Sequence, residues 1–391
     1  MGDEKGEWKI PHNGQLPRLQ RVPAWLRIIG ILAVLYVFLA SISMMGGGFK
    51  HMGKPFARKI IETTSNPFIG LFVGILATSV VQSSSTVTSI VVGMVGVGTL
   101  SVPCAVPIIM GANIGTTVTN TIVSLGFIGR KEEFKRAFTC GTVHDFFNYL
   151  CVLLLLPLEL LTRLFFGKGL LESVAGSITG LIGGAGKLKF TSPVKAIIKP
   201  VVAEVSCGLE HLISNKMVCC WTEVGLSLIV LFFALWAVTK LMRSLVLSKM
   251  ESVLDRTVGR SPALGIAVGL IFTAVVQSSS VTTSILVPLA ATGVVNVTQV
   301  FPITVGANIG TTVTALLASL TGNPAGLQIA LVHLLFNTTG TLIFIPIKSV
   351  RMIPVRLAEG LAGLTMKSRW FAVAYVAILF FAIPALLIWL T

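Results

Sequence analysis

The chain has 391 residues, of which 54% are hydrophobic and only 12% charged, and its mean hydropathy is +0.89. A water-soluble domain needs roughly 25% charged residues to cover its surface, so a soluble globular protein is excluded. The net charge of +15 lies in short clusters beside apolar tracts rather than on one continuous face, which reads as anchoring at lipid headgroups and not as nucleic-acid binding.

Residues 1–66 hold a polar leader, a first apolar stretch near 26–45 and a basic segment. That stretch is long enough to remain as a span, so no cleaved signal peptide is expected. Arg18, Arg21 and Arg27 precede it and argue for a cytosolic N-terminus. Lys50, Lys54, Arg58 and Lys59 would then emerge outside, and they are read as an interfacial amphipathic helix.

Residues 67–166 form a first repeat unit. Residues 70–125 align without a gap onto residues 265–320 at an offset of 195, with about half the positions identical. Such duplication is a ground plan of secondary transporters, whose sites lie where the repeats meet. The tract Pro67–Gly98 carries Gln82, Ser83, Ser84 and Ser85 near its middle. At about 32 residues it exceeds the roughly 20 that one span requires, so a helical hairpin turning at the polar string is expected. Backbone freed by that turn must line an enclosed or watery cavity, because an unpaired peptide group facing lipid costs several kcal/mol. Gly111 to Thr119 follows as GANIGTTVT, with Asn113, Thr116, Thr117 and Thr119 among small residues. Its glycines are expected to permit unwound backbone and close approach to a ligand. Next comes an apolar tract near 138–161 with His144, Asp145 and Asn148. His144 and Asn148 share a helical face and are expected to act mainly as structural hydrogen-bonding groups. Asp145 stands as either a cation ligand or a helix contact. Glu159 and the Arg130–Arg136 cluster read as span-end and loop charges.

Residues 167–222 are a linker ending in an acidic stretch with Cys207, Cys219 and Cys220, in the character of an external loop. A disulfide from Cys207 to Cys219 or Cys220 is the expectation, with metal binding as the alternative. Cys104, Cys140 and Cys151 read as inert packing residues. Residues 223–261 carry a span near 223–247 and a basic connector with Lys249, Arg256 and Arg260. Residues 262–347 form the second repeat unit, with Gln277, Ser278, Ser279 and Ser280, then GANIGTTVT from Gly306, with Asn308 and Thr311. They end in an apolar tract near 325–347 with His333 and Asn337. Residues 348–391 are a basic connector and a last span near 369–390. The cytosolic connector makes the second unit enter from the face opposite the first, an inverted repeat.

Neither 67–125 nor 262–320 contains a single Lys, Arg, Asp or Glu. A charged substrate there would be met by helix N-termini, which favour anions, and by hydroxyls and carbonyls, which are hard ligands for sodium. Sodium-coupled binding of a small oxyanion follows. Serine catalysis is set aside, since there is no GxSxG elbow and the histidines lie far from the strings in sequence.

QSSS twice, GANIGTTVT twice, FKRAFTCGTVHDFFNYL and LQIALVHLLFNTTG together resemble the type II sodium-phosphate cotransporter family over about residues 66–380. The chain lacks the long cysteine-rich tail and long inter-repeat loop of the vertebrate members and looks like a compact bacterial member. The resemblance implies an all-α polytopic membrane protein with an inverted repeat, two re-entrant helical hairpins and broken transmembrane helices. It also implies sodium-driven symport of inorganic phosphate, with sodium as co-transported ion and the cell membrane as location. The site is carried to Gln82, Ser83, Ser84, Ser85, Gln277, Ser278, Ser279 and Ser280, with Thr86, Thr88, Thr282, Thr283, Asn113, Asn308, Thr116 and Thr311 as further candidates. Another small oxyanion or carboxylate, or a phosphate sensor that moves nothing, is the alternative. Assembly as a homodimer is left open.

Overall fold

Both repeat units begin on the same local signal: Asn66 before Pro67 and Ser261 before Pro262, each polar side chain accepting a backbone N–H of the first turn. An oxygen-bearing cap followed by proline is a strong helix start. In the computed structural model, which describes residues 22–182, 193–257 and 261–390, every regular element among the described residues is a helix. Arg18, Arg21 and Arg260, and the side chains of Lys249 and Arg256, lie outside the described residues. The N-terminal part holds α1 (Ala24–His51) and α2 (Gly53–Thr64). The first unit comprises α3 (Pro67–Val81), α4 (Ser84–Val97), α5 (Val102–Thr116), α6 (Val118–Leu125) and α7 (Lys131–Phe166). The linker region forms α8 (Leu170–Ile182) and α9 (Pro193–Leu212), and α10 (Lys216–Thr257) leads to the second unit. That unit comprises α11 (Pro262–Val276), α12 (Ser279–Ser284), α13 (Leu286–Ala291), α14 (Val297–Ser319) and α15 (Pro324–Phe344). The chain closes with α16 (Lys348–Lys367), α17 (Trp370–Val376), a π-helix (Ala377–Ala382) and α18 (Ile383–Trp389). Among the described residues, seven helical segments are long and apolar enough to cross a membrane, so this is an all-α polytopic membrane protein.

The arms α3 and α4 have 15 and 14 residues, about 22 Å each at 1.5 Å per residue, short of a 30 Å hydrocarbon layer. Their directions follow from glycine contacts. Gly70 faces Cys104 to Ile108, Gly74 faces Ile108 and Ala112, and Gly115 faces Ile75 and Thr78. Residue numbers rise together, so α3 and α5 run parallel and α4 must return between them. The same pairs recur in the second unit, where Gly269 faces Ile303 and Ala307 and Gly310 faces Leu270 and Thr273. Each unit therefore contains a helical hairpin.

The units are set antiparallel. Ser85 meets Thr314 and Gly96 meets Gly322, so α4 runs parallel to α14 and hence opposite to α5, the equivalent of α14. In addition, α1 and α10 are antiparallel neighbours, with Arg27 donating to the Ser244 carbonyl (3.0 Å) and Gly48 packed on Val224. The chain thus enters its two units from opposite ends of this pair.

The glycines of the GANIGTTVT strings do not unwind the backbone, which corrects the expectation. The second string lies wholly in α14, and the first lies in α5 to Thr116 and is interrupted only at Thr117, after its glycines, before α6 begins at Val118. Gly111–Gly115 and Gly306–Gly310 are instead small-residue pairs one turn apart, where backbones come together. A Cβ built on Gly115 would stand 2.6 Å from the Ile75 oxygen, and one on Gly310 2.6 Å from the Leu270 oxygen. Cβ atoms on Gly74 and Gly269 would overlap the carbonyls of Ile108 and Ile303. Gly74→Ala and Gly269→Ala therefore force the helices apart and each cost about 1–3 kcal/mol or more. The check is thermal unfolding in detergent; a wild-type midpoint for either variant contradicts the packing argument.

Around the units, the basic segment after α1 is α2, bent 99° from α3, with only Thr64 buried. Glu159 is not a span-end charge. It is 1% exposed, and its carboxylate accepts the N–H groups of Leu171 (2.7 Å) and Glu172 (3.3 Å), neutralising the start of α8. Arg130 does behave as a loop charge, paired with Glu133 at 2.8 Å on an exposed side chain.

Candidate substrate and ion site

The chain breaks between α3 and α4 at Gln82, and between α11 and α12 at Gln277. These are the only described non-glycine residues with positive φ, 55° and 60°. A left-handed residue ends one helix, its N–H bonding Thr78 or Thr273 (2.7 Å each), and the next residue caps the following helix. Ser83 Oγ accepts from the Thr86 N–H (3.2 Å) and Ser278 Oγ from the Val281 N–H (3.4 Å). The first two letters of QSSS thus build the turn, and the last two occupy the helix N-terminus that follows.

The two turns touch. Ser85 Oγ donates to the Gln277 carbonyl (3.3 Å), and Thr314 Oγ1 donates to Gln277 Oε1 (2.8 Å) and lies 3.4 Å from Ser85 Oγ. Gln277 also bonds the Ala274 carbonyl through its amide. Beside this contact Thr283 Oγ1 donates to Asn120 Oδ1 across the units (2.9 Å), and Thr273 Oγ1 donates to Thr282 Oγ1 (2.9 Å). The hydroxyls of Thr88, Thr116 and Thr311 donate to carbonyls of their own helices. Thr86 Oγ1 donates to Ser83 Oγ (2.8 Å). The side-chain hydroxyls of Ser84, Ser279 and Ser280 have no protein partner among the described residues.

The pairing is one-sided. Gln277 is 6% exposed and held by Thr314, whereas Gln82 is exposed. In the second unit Thr273 and Thr314 are bonded; their equivalents Thr78 and Thr119 are buried hydroxyls without partners, as is Ser79.

Behind the tips a crossed network joins the units. His144 on α7 meets Asn308 Oδ1 of the other unit at 2.6 Å, and Asn308 Nδ2 donates to Asn148 Oδ1 (3.0 Å). Since that oxygen can only accept, the His144 proton sits on Nε2. Asn148 Nδ2 in turn donates to the Asn113 carbonyl (2.8 Å). The mirror-related bonds are longer, with His333 Nε2 3.4 Å from Asn113 Oδ1 and Asn337 Nδ2 3.3 Å from the Asn308 carbonyl. Asn113 and Asn308 thus tie units together.

Asp145, one residue from His144, is fully buried. Its Oδ2 accepts from Tyr375 OH (2.8 Å) and Thr121 Oγ1 (3.2 Å), while Oδ1 has no partner. No salt bridge reaches it among the described residues. Sequence reasoning included Thr314 only as the last residue of the second GANIGTTVT string and missed Asn120 and Tyr375 as site neighbours. Asn120 could have been found, because it stands where the second repeat has Ala315.

The cysteine expectation changes. Residues 193–212 and 216–257 are helices, so the stretch read as a loop is mostly helical. All six thiols are free. Cys207 lies one turn from His211, its Sγ 3.6 Å from Nδ1, while Cys220 packs among Met45, Phe49 and Val224. Among the described residues no group of three or more His, Cys, Asp or Glu side chains could hold a metal ion.

Two like units, set antiparallel in a helical membrane protein and meeting through uncharged polar turns, define a class of polytopic proteins with a duplicated core. The chain belongs to the Na+/Pi-cotransporter family, whose sequence model matches residues 37–176 and 230–383. It is similar to "Sodium-dependent phosphate transport protein 2B" of Homo sapiens, 36% identical over 445 residues, covering 92% of this chain and 64% of the relative. The protein of the same name in Pongo abelii gives the same identity and coverage. "Sodium-dependent phosphate transport protein 2A" of Rattus norvegicus is 36% identical over 433 residues, covering 92% of this chain and 67% of the relative. The chain therefore spans just under two thirds of the length of the first of these relatives. No solved structure matches it.

Proposed function

We propose that the protein is a sodium-coupled symporter of inorganic phosphate in the cell membrane, working by alternating access. The observation that carries this reading is the tip-to-tip meeting of the two QSSS turns through Ser85 and Gln277, in two repeat cores without a charged side chain. The N-termini of α4 and α12 offer backbone N–H groups and the free hydroxyls of Ser84, Ser279 and Ser280 to an oxyanion. Phosphate is the oxyanion named in the relatives. No fixed cation balances its charge there, so the counter-charge travels with it as sodium, held by hydroxyls and carbonyls of the same turns.

Gln82, Ser83 and Ser278 shape the turns and face the ligands from them; Thr86, Thr88, Thr116, Thr282, Thr283 and Thr311 supply further oxygen. Asn113 and Asn308 hold the halves in register. Asp145 is read as a further sodium ligand: an unpaired buried carboxylate is strongly unfavourable, and its free Oδ1 among hydroxyls suits a monovalent cation. Antiparallel units support alternating access, because the same tip contact can be made in two mirror-related ways. Arg27 lies beside Ser244 toward the C-terminal end of α10, from which the sequence runs on into the basic connector, and this supports a cytosolic N-terminus.

The test is uptake of radiolabelled phosphate into proteoliposomes under an inward sodium gradient, with potassium as the control. Accumulation that needs sodium is expected, together with a higher half-saturation for phosphate as sodium is lowered and competition by arsenate. Binding of phosphate without sodium-dependent flux would identify a sensor instead, and competition by sulfate or a carboxylate alone would change the cargo.

A further inference from the structure

The C-terminal span, outside both repeat units, reaches into the buried polar cluster. Tyr375 lies on α17, 230 residues from Asp145, and its phenol makes the shorter of the two bonds to Oδ2, 2.8 Å against 3.2 Å from Thr121. The tyrosine is held by aromatic neighbours on two sides. Phe138 of α7 stands 6.3 Å away edge-on, and Phe380 stands 6.0 Å away edge-on. Phe380 also contacts Tyr149 of α7, at 6.3 Å, and is fully buried. It belongs to the π-helix Ala377–Ala382, which begins two residues after Tyr375. Single π turns inside helices cluster at functional sites, since they displace one stretch of helix face relative to the next. Here the turn carries the Phe380 ring between the two tyrosines. Two polar atoms of the cluster have no hydrogen-bond partner, Asp145 Oδ1 and Tyr149 OH.

We propose that Tyr375 is a positioning residue for sodium: by holding Oδ2 it fixes the rotation of the Asp145 carboxylate so that Oδ1 faces the cation, making the C-terminal span part of the ion-coupling apparatus. This rests on the reading of Asp145 as a sodium ligand. The phenol is a neutral donor and supplies no compensating charge, so it can orient the carboxylate without replacing the cation. A carboxylate that loses this bond rotates about its last torsion, which is broad, and presents Oδ1 only part of the time. Phosphate recognition at the hairpin tips involves neither group, so the effect belongs to sodium alone. A role confined to folding would instead lower protein yield and melting temperature and leave the sodium dependence of folded protein as it was.

The experiment compares wild type, Tyr375→Phe, Tyr149→Phe and Asp145→Asn. The half-saturation for sodium is read in phosphate uptake and, without phosphate, in the sodium-induced rise of melting temperature. A hydrogen bond to a charged group accounts for roughly ten-fold in affinity or more. Tyr375→Phe is therefore expected to raise the sodium half-saturation about that much, with phosphate half-saturation at saturating sodium unchanged. Tyr149→Phe is expected to change the sodium half-saturation far less, because its hydroxyl makes no hydrogen bond to Asp145. A wild-type sodium half-saturation in folded Tyr375→Phe, with Asp145→Asn impaired, overturns the role of Tyr375 and leaves Asp145 standing. Wild-type sodium dependence in Asp145→Asn overturns the Asp145 reading itself. Should Tyr375→Phe give no folded protein, Phe380→Leu loosens the same phenol. A sodium half-saturation equal to wild type in that variant overturns the proposal.

Discussion

Asn308→Ala should damage the protein far more than Asn113→Ala, although the two asparagines occupy the same place in their repeats. Asn308 meets His144 at 2.6 Å and Asn148 at 3.0 Å, both from the opposite unit. Truncation orphans two buried partners, His144 and Asn148, which are both fully buried. Each orphan costs about 1–3 kcal/mol, so the sum is roughly 2–6 kcal/mol. Asn113 spends its amide on its own helix, on Ile109 (2.8 Å), and meets His333 only at 3.4 Å. The Asn148 bond to the Asn113 backbone carbonyl survives truncation of that side chain. Thermal unfolding in detergent and phosphate uptake on the same preparations read the difference. Equal losses at the two positions would show that the network is symmetric in solution and that its asymmetry has no energetic weight.

Thr119→Val should lower uptake at least ten-fold while leaving thermal stability equal to wild type or higher. The hydroxyl of Thr119 is buried and unbonded, so replacing it with a methyl group removes a desolvated polar atom and breaks nothing. Its repeat equivalent, Thr314, holds Gln277 at 2.8 Å. If transport passes through a second arrangement in which the halves exchange roles, Thr119 must there hold Gln82, which is now exposed. A ten-fold loss corresponds to about 1.4 kcal/mol, the scale of one hydrogen bond. Thr314→Val, by contrast, should lower both stability and uptake. Wild-type uptake in Thr119→Val would sink the mirror-related second arrangement.

The duplication and the hairpins could be read in the sequence because both follow from length and local chemistry. An apolar tract of about 32 residues with QSSS at its centre is too long for one span, and caps such as Asn66-Pro67 and Ser261-Pro262 mark where helices start. The role of the GANIGTTVT glycines could not be read, since unwound backbone and tight helix contact demand the same small residues. The choice depends on the carbonyls of Leu71, Ile75, Ile266 and Leu270 on a neighbouring helix. Glu159 was misread for a similar reason: helical spacing points to Arg163, 4.0 Å away, but its closer partners are N–H groups of a helix twelve residues on, which no spacing rule points to. Tyr375 is invisible from the motifs, because it lies outside the repeats and reaches Asp145 only through the fold.

Glycine contact welds α3 to α5 and α11 to α14 so closely that neither pair has room to slide, while the seam between the units is sewn unevenly: hydroxyl bonds of 3.3 and 3.4 Å at Ser85, and bonds of 2.6 and 3.0 Å where Asn308 meets His144 and Asn148. A joint between stiff plates that is loosely sewn at one edge and tightly at another opens at the loose edge and pivots on the tight one. Each welded pair should therefore travel as one lever, turning about the buried Asn308 contacts and parting first at Ser85 and Gln277. A bulky reagent attached beside that seam would jam the mechanism without unfolding either plate.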